Sequence, residues 1–214
     1  MSWWRATKKR CRIVRGALSL DQCQSLQKAI VESPWLAGTT LNRRFASTWG
    51  FSVAFQRHGL ARVRKTFGEF IPYLDLVIEE PYNAFFLNPL VIFRGGQVMP
   101  HIDCSIRSYT APLEPPYPGK VSVFYAQVPS DLEGGQLLLS SSGHKEIARV
   151  QPEQNMLVQF DGELMHQVTP FEGSAQADLQ RSRISLVCEH YVLPDALLAR
   201  VPDFHLETTR DFQE

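Results

Sequence analysis

The chain has few cysteines, and they are not placed to work together. Its four (Cys11, Cys23, Cys104 and Cys188) are scattered over 214 residues and form no CxxC pair. That argues against a disulfide framework or a cysteine zinc site, and for a reduced cytoplasmic protein. No apolar run reaches the roughly 18 residues that suggest a membrane span, so no membrane partner is expected. The start, MSWWRATKKRCR, lacks an apolar stretch behind its basic residues and reads as no signal peptide. There is no repeat of fixed period and no low-complexity tract. Net charge is also missing: 22 Lys and Arg balance 22 Asp and Glu.

The balance hides an asymmetry. Residues 1–70 hold 13 Lys/Arg against 3 Asp/Glu, and residues 71–214 hold 9 against 19. Two regions of one fold packing with complementary charge is the preferred explanation. The rival is a basic surface made by Arg43, Arg44, Arg57, Arg62, Arg64 and Lys65 for an anionic partner. No aromatic interleaving of a nucleic-acid motif accompanies these charges, which argues against a nucleic-acid partner.

What is present is a change of texture along the chain. LSLDQCQSLQKAIVES reads as a helix with Ser19 as N-cap, Gln22 completing a capping box, an apolar face of Leu26, Ile30 and Val31, and Pro34 as the stop. HGLARVRKTFGEFIPYLDLVIEE reads as a second helical region, kinked or broken at Pro72. From residue 84, short β-branched and aromatic runs follow one another, separated by Gly, Pro, Asn and Asp. The pattern predicts an α+β chain whose body is an all-β barrel or jelly roll. With 44% apolar residues, it suits one domain over 1–214. Residues 1–83 form a mainly helical support layer, 84–193 the jelly-roll core and 194–214 a C-terminal tail. SYTAPLEPPYPGK, 108–120, carries four prolines and reads as an extended surface loop.

MPHIDCS, 99–105, raises the chemical question. His101 and Asp103 are two apart, so in a strand they share a face. Two ligands hold a metal poorly. His166, in FDGELMHQVTPF, can supply a third from another strand, because a barrel closes distances that are long in sequence. Two histidines and a carboxylate leave three open positions, the facial arrangement of non-haem Fe(II) oxygenases. A 2-oxo acid can fill two of these and O2 the third. The far carboxylate of such a co-substrate needs a cation, for which Arg is well shaped. Arg183 opens the apolar strand RISLVCEHYV, and Arg181 has the same parity and is its rival. Tyr125, in VSVFYAQV, can add a hydroxyl.

These pieces, taken in order, resemble the 2-oxoglutarate/Fe(II)-dependent dioxygenases, and most of all their prolyl 4-hydroxylase-like branch. The matching segments are HxD at 101–103, VFYAQVPSDLEGGQLLLS with Gly134-Gly135, NMLVQFDGELMHQV with Val168, and Arg183-Ile184-Ser185-Leu186. Together they cover roughly residues 90–193. Two inserts depart from the pattern: the proline-rich stretch before Tyr125, and FEGSAQADLQRS before Arg183, which keeps Arg181 in play. The resemblance implies a double-stranded β-helix holding Fe(II) on His101, Asp103 and His166. It also implies 2-oxoglutarate held by Arg183 and Tyr125, O2 as oxidant, and ascorbate as an allowed further cofactor. The activity implied is hydroxylation of an unactivated C–H, on a prolyl residue of a peptide or protein, or alternatively on a small metabolite or free amino acid. Related halogenases carry a small residue where this chain has Asp103, so hydroxylation is expected over halogenation.

The 108–120 loop, just after the ligands, is the expected substrate rim, although no individual substrate-binding residue is legible. His58, His144, His190 and His205 are expected to be satisfied polar groups, and Trp3, Trp4, Trp35 and Trp49 packing residues. Cys104 is expected to point away from the triad. Two other classes stay open: a metal-binding barrel that makes no use of 2-oxoglutarate, and an interaction module working through the basic helical region around Arg62 and Arg64. Nothing in the sequence speaks to oligomeric state.

Overall fold

The computed structural model describes residues 10–38, 45–143, 145–172 and 177–209. Trp3, Trp4, Arg43, Arg44 and His144 lie outside them. The elements run β1 (Cys11–Arg15), α1 (Leu20–Val31), β2 (Ala37–Gly38), β3 (Phe45–Gly50), β4 (Ser52–Gln56), α2 (Leu60–Thr66) and α3 (Ile71–Val77). They continue with β5 (Ala84–His101), α4 (Arg107–Thr110), β6 (Lys120–Gln127), β7 (Leu137–Ser140), β8 (Glu146–Val150), β9 (Met156–Phe160) and β10 (Met165–Val168). The chain then forms β11 (Arg183–Tyr191), α5 (Asp195–Leu198) and β12 (Phe204–Glu207).

All pairings are antiparallel, in the order β1-β9-β6-β11-β5-β10-β7-β8. β3 and β4 also pair with β5, β2 with β3, and β12 with β4. This is the expected α+β architecture, a double-stranded β-helix backed by helices. The expected strands from residue 84 onward are all present. Those at 11–15, 37–38, 45–50 and 52–56, inside the stretch read as mainly helical, were not foreseen. The stretch read as a C-terminal tail contributes β12 to the sheet. Among the described residues no helix is long and apolar enough to cross a membrane.

α1 begins as the sequence predicts. The Ser19 hydroxyl accepts from the Gln22 backbone N–H at 3.2 Å, and the Gln22 side chain accepts from the Ser19 N–H at 3.0 Å. Its Cys23, Leu26 and Ile30 are buried. Pro72 breaks nothing: it lies in the first turn of α3, where an absent N–H costs no hydrogen bond. The basic residues of the first third mostly meet acids or carbonyls. Arg57 pairs with Glu80 at 3.3 Å and donates to the Tyr82 and Glu79 carbonyls. Arg64 pairs with Asp75, Arg10 with Asp161 at 3.0 Å and Arg15 with Glu153 at 2.8 Å, while Arg62 lies over the Phe204 ring. These contacts fit the complementary-packing explanation of the charge asymmetry.

Strand alternation divides the protein into two compartments. On β6, Val121, Val123 and Tyr125 face the barrel interior with Leu137, Leu139, Met156, Val158 and Phe160. Phe124 and Ala126 of β6, with Ile184, Leu186 and Cys188 of β11, join the second core, which also contains α1 and α3 side chains. The opposite parity of β11 is thereby left to the interior. β5 is long enough, at 18 residues, to serve both sheets. Its first half pairs with β11 and β4, and its last residues pair with β10. It turns at Gly95, whose φ of +77° only glycine adopts readily, and Gly96 is packed so tightly that a Cβ would stand 2.7 Å from the Phe93 carbonyl oxygen.

His190 follows this parity out of the barrel. It is fully buried, its Nε2 lies 3.0 Å from the Ser122 hydroxyl, and its ring packs against Tyr82 and Phe85. Burial, reinforced by the Lys120 charge, pushes its pKa well below the ordinary 6.5. The unfolded chain therefore binds a proton that the folded chain refuses. The stability this neutral histidine contributes is complete above pH 6.5 and is lost below it, at up to about 1.4 kcal/mol per pH unit. Urea unfolding between pH 7.5 and 5 should show a shallower acid loss for His190→Gln than for the parent chain.

Candidate functional site

The site begins with register. His166 of β10 stands directly opposite His101, the last residue of β5. The two rings are 4.3 Å apart between centroids. His101 donates from Nδ1 to the Met99 carbonyl at 2.8 Å, and His166 does the same to Leu164 at 3.2 Å. Each imidazole is thereby oriented with Nε2 toward the cavity. Both Nε2 atoms converge on Asp103, His101 at 3.2 Å from one carboxylate oxygen and His166 at 3.4 Å from the other. One ligand atom from each of the three residues lies within 4.8 Å of the others.

The strand argument placed Asp103 correctly for a different reason. β5 ends at His101, and Asp103 lies in the irregular segment beyond it. Parity therefore does not govern Cys104 either. It helps line a shallow opening with Phe45, His101, Asp103, Ser105 and Arg107. Burial would raise the Asp103 carboxyl, but the His166 and His101 imidazoles outweigh it and hold the acid far below the ordinary carboxylate range. For His166, burial works downward, and Asp103 overcomes it to raise the pKa. An ionised carboxylate between two oriented imidazoles suits a divalent cation of the first transition row.

Behind the triad lies a cavity whose lining includes Phe86, Leu90, Val98, Val123, Leu137 and Val168, together with Arg183, Ser185 and Glu189. Arg183 is buried, and Nη1 donates to the Gly135 carbonyl at 2.7 Å. Its Nε has no hydrogen-bond partner among the described residues. Its guanidinium carbon lies 4.8 Å from the centroid of the Tyr125 ring, and the buried Tyr125 hydroxyl is likewise without a partner. Burial lowers the Arg183 pKa and raises that of Tyr125. Arg181 is elsewhere. Its exposed guanidinium pairs with Asp131 at 2.8 Å, alongside Arg94 at 2.6 Å. The structure thus brings His101, Asp103, His166 and Arg183 to one cavity, with Tyr125 beside Arg183, and leaves Arg181 outside. Gly134 and Gly135 have φ of +73° and +61°, and a Cβ on Gly134 would fall 1.9 Å from the Pro170 carbonyl oxygen. These turn glycines fix the carbonyl that anchors Arg183.

The 108–120 stretch begins in α4 and runs on irregularly, with Leu113 and Tyr117 exposed. It meets the site's edge through Glu114, paired with Arg107 at 3.1 Å. His58 pairs with Asp203 at 2.7 Å and His205 packs against Tyr109, as expected of ordinary polar groups.

Glu189 was missed. It shares the inward parity of Arg183, Ser185 and Val187 on β11, and that same alternation would have found it. Its carboxylate accepts from the Ser105 N–H at 3.0 Å, the Ser105 hydroxyl at 2.5 Å and the Tyr191 hydroxyl. Burial, then the charge of Asp103, pushes its pKa up to about 8.

No family model and no curated protein matches the sequence. Solved structures do match the fold. A prolyl-4-hydroxylase from Pseudomonas putida superposes with a TM-score of 0.55 at 15% identity, over 87% of this chain and 95% of that one. A prolyl hydroxylase from Trichoplax adhaerens, in complex with a hypoxia inducible factor oxygen degradation domain peptide fragment, gives 0.55 at 14% identity over 86% and 84%. An oxidoreductase of the 2OG-Fe(II) oxygenase family from Burkholderia pseudomallei gives 0.56 at 10% identity over 85% and 85%. At these identities the likeness is one of fold.

A divalent metal should bind where the three ligand atoms converge. In anaerobic calorimetric titrations with Fe(II), His166→Ala should lower affinity by more than the ~10–100-fold that losing an outer hydrogen-bond partner costs. Arg181→Ala should leave it unchanged. Equal affinity in the parent chain and His166→Ala would place the metal elsewhere.

Proposed function

We propose that the protein is a 2-oxoglutarate- and Fe(II)-dependent dioxygenase that hydroxylates an unactivated C–H. The observation that carries this reading is one cavity with two different unmet demands. At its mouth three converging ligand atoms suit a divalent cation, and in its lining a buried guanidinium has an unpaired N–H. A buried cation without a counter-anion is costly, which is the expected state of a clamp awaiting its ligand's carboxylate. The fold shared with the 2OG-Fe(II) oxygenase family member supports the same assignment.

In this reading His101, Asp103 and His166 hold Fe(II), and Arg183 holds the distal carboxylate of 2-oxoglutarate with the Tyr125 hydroxyl beside it. The bound iron and 2-oxoglutarate, with O2, supply the oxidising chemistry. The chain's own share is positional. Met99 and Leu164 fix the imidazole tautomers, Gly135 aims the guanidinium, and the apolar lining keeps water from the reacting centre. Asp103 occupies the third ligand position, which favours hydroxylation over halogenation. The substrate suggested by the neighbours' names is a prolyl residue of a peptide, and a small metabolite is the alternative. A cytoplasmic location is part of the same proposal, resting on four cysteines scattered along the sequence with no CxxC pair.

Anaerobic addition of 2-oxoglutarate to the Fe(II)-loaded protein should give a visible charge-transfer band. The band should be absent in His166→Ala. In Arg183→Ala the apparent affinity for 2-oxoglutarate should fall at least about tenfold, as expected for a charged hydrogen bond worth ~1.5–3 kcal/mol. Arg181→Ala should match the parent. No band in folded, iron-loaded protein would favour a metal-binding barrel that makes no use of 2-oxoglutarate.

A further inference from the structure

We propose that Glu189 determines specificity: its carboxylate receives the protonated nitrogen of an aliphatic amine substrate. This rests on the reading of the triad cavity given above and names the substrate class of that cavity. Glu189 and Arg183 lie on the same inward face of β11, six residues apart. At about 3.3 Å per residue they stand about 20 Å apart along the strand, far more than a five-carbon diacid spans. One cavity thus carries a cationic group and an anionic group that cannot serve the same small ligand. If Arg183 takes the co-substrate, Glu189 is left for something else.

The surroundings of Glu189 define what that is. Its cross-strand neighbours are Phe86 on β5 and Val121 on β6, so the carboxylate rises from an apolar floor. Val123 and Val187 continue that floor. An ionised carboxylate has about four lone-pair sites. Three are used: Ser105 N–H and the Tyr191 hydroxyl on one oxygen, and the Ser105 hydroxyl on the other. One site remains, and among the described residues no Lys or Arg forms an ion pair with Glu189. All three donors are neutral, so the ionised form has no counter-charge in a cavity that also contains Asp103, and without a cationic partner the acid is held largely protonated at neutral pH. A carboxylate buried this way is costly unless a cation completes it. Methylene or ring carbons against Phe86 and the valines, ending in an ammonium, satisfy both the floor and the charge. An internal prolyl residue does not, because its tertiary amide nitrogen has no hydrogen to donate. The geometry therefore favours a small amine or free amino acid over a prolyl residue within a peptide.

The test uses the anaerobic Fe(II)- and 2-oxoglutarate-loaded protein and the perturbation of its charge-transfer band by matched probes. These are n-butylammonium against n-butanol, and piperidinium against N-acetylpiperidine. The ammonium probes should bind at least about tenfold more tightly than their neutral partners. Glu189→Gln, which keeps an oxygen for Ser105, should retain the band and lose the preference. Equal binding of charged and neutral probes, no binding of the ammonium probes, or a preference that survives in Glu189→Gln overturns the assignment. Should the variant not fold, the comparison in the parent chain decides alone. No band in the parent protein would mean that the dioxygenase reading has failed, and this inference with it.

Discussion

The pairing of His166 with His101 across β10 and β5 is the constraint from which the site follows. A strand's side chains alternate between faces, so a shift of one residue would turn one imidazole out of the cavity and leave Asp103 with a single partner. Such a slip would turn His166 and Val168 outward and bring Met165 and Gln167 in. The turn at Gly95 and Gly96 then lets one strand belong to both sheets. The end of β5 that carries His101 closes the barrel while its beginning stays in the sheet backed by helices.

The cavity concentrates charge in an apolar setting: Asp103 and Glu189 as acids, Arg183 as a base, and two imidazoles between oriented carbonyls and a carboxylate. Each charge feels the others more strongly than it would in water. The groups differ in how far the protein itself satisfies them. Asp103 has both oxygens against imidazole nitrogens. Arg183 donates to Gly135 and lies over the Tyr125 ring but leaves Nε unpaired among the described residues, and Glu189 has hydrogen bonds but no cation.

Much of this was legible in the sequence because it was written in local pattern. The Ser19 and Gln22 capping box, the run of strands after residue 84, and the order of HxD, Gly-Gly, distal His and Arg-Ile-Ser-Leu are features of a few adjacent residues. Less legible was whatever depends on pairing between distant segments. β3 and β4 are too mixed in composition to announce themselves, and become strands because β5 supplies their hydrogen bonds. Pro72 looked like a break, and only the start of α3 around it makes it a first-turn residue. The choice between Arg183 and Arg181 could not be made by parity, which they share. It is made by burial, since one faces the cavity and the other meets Asp131 at the surface. Glu189 was within reach, because the strand that Arg183 opens carries it six residues on with the same parity.

β11 also has a bearing on how such a protein can change over evolutionary time. Its even-numbered residues, Ile184, Leu186 and Cys188, are committed to the helical side and must keep their volume. Of its odd-numbered residues, Arg183, Ser185, Val187 and Glu189 line the cavity, while Tyr191 joins a packed cluster. A single strand thus largely separates the mutations that threaten folding from those that reshape the cavity. A lineage can reshape the cavity by exchanging alternate residues of one short segment, while the packing of Ile184, Leu186 and Cys188 remains untouched.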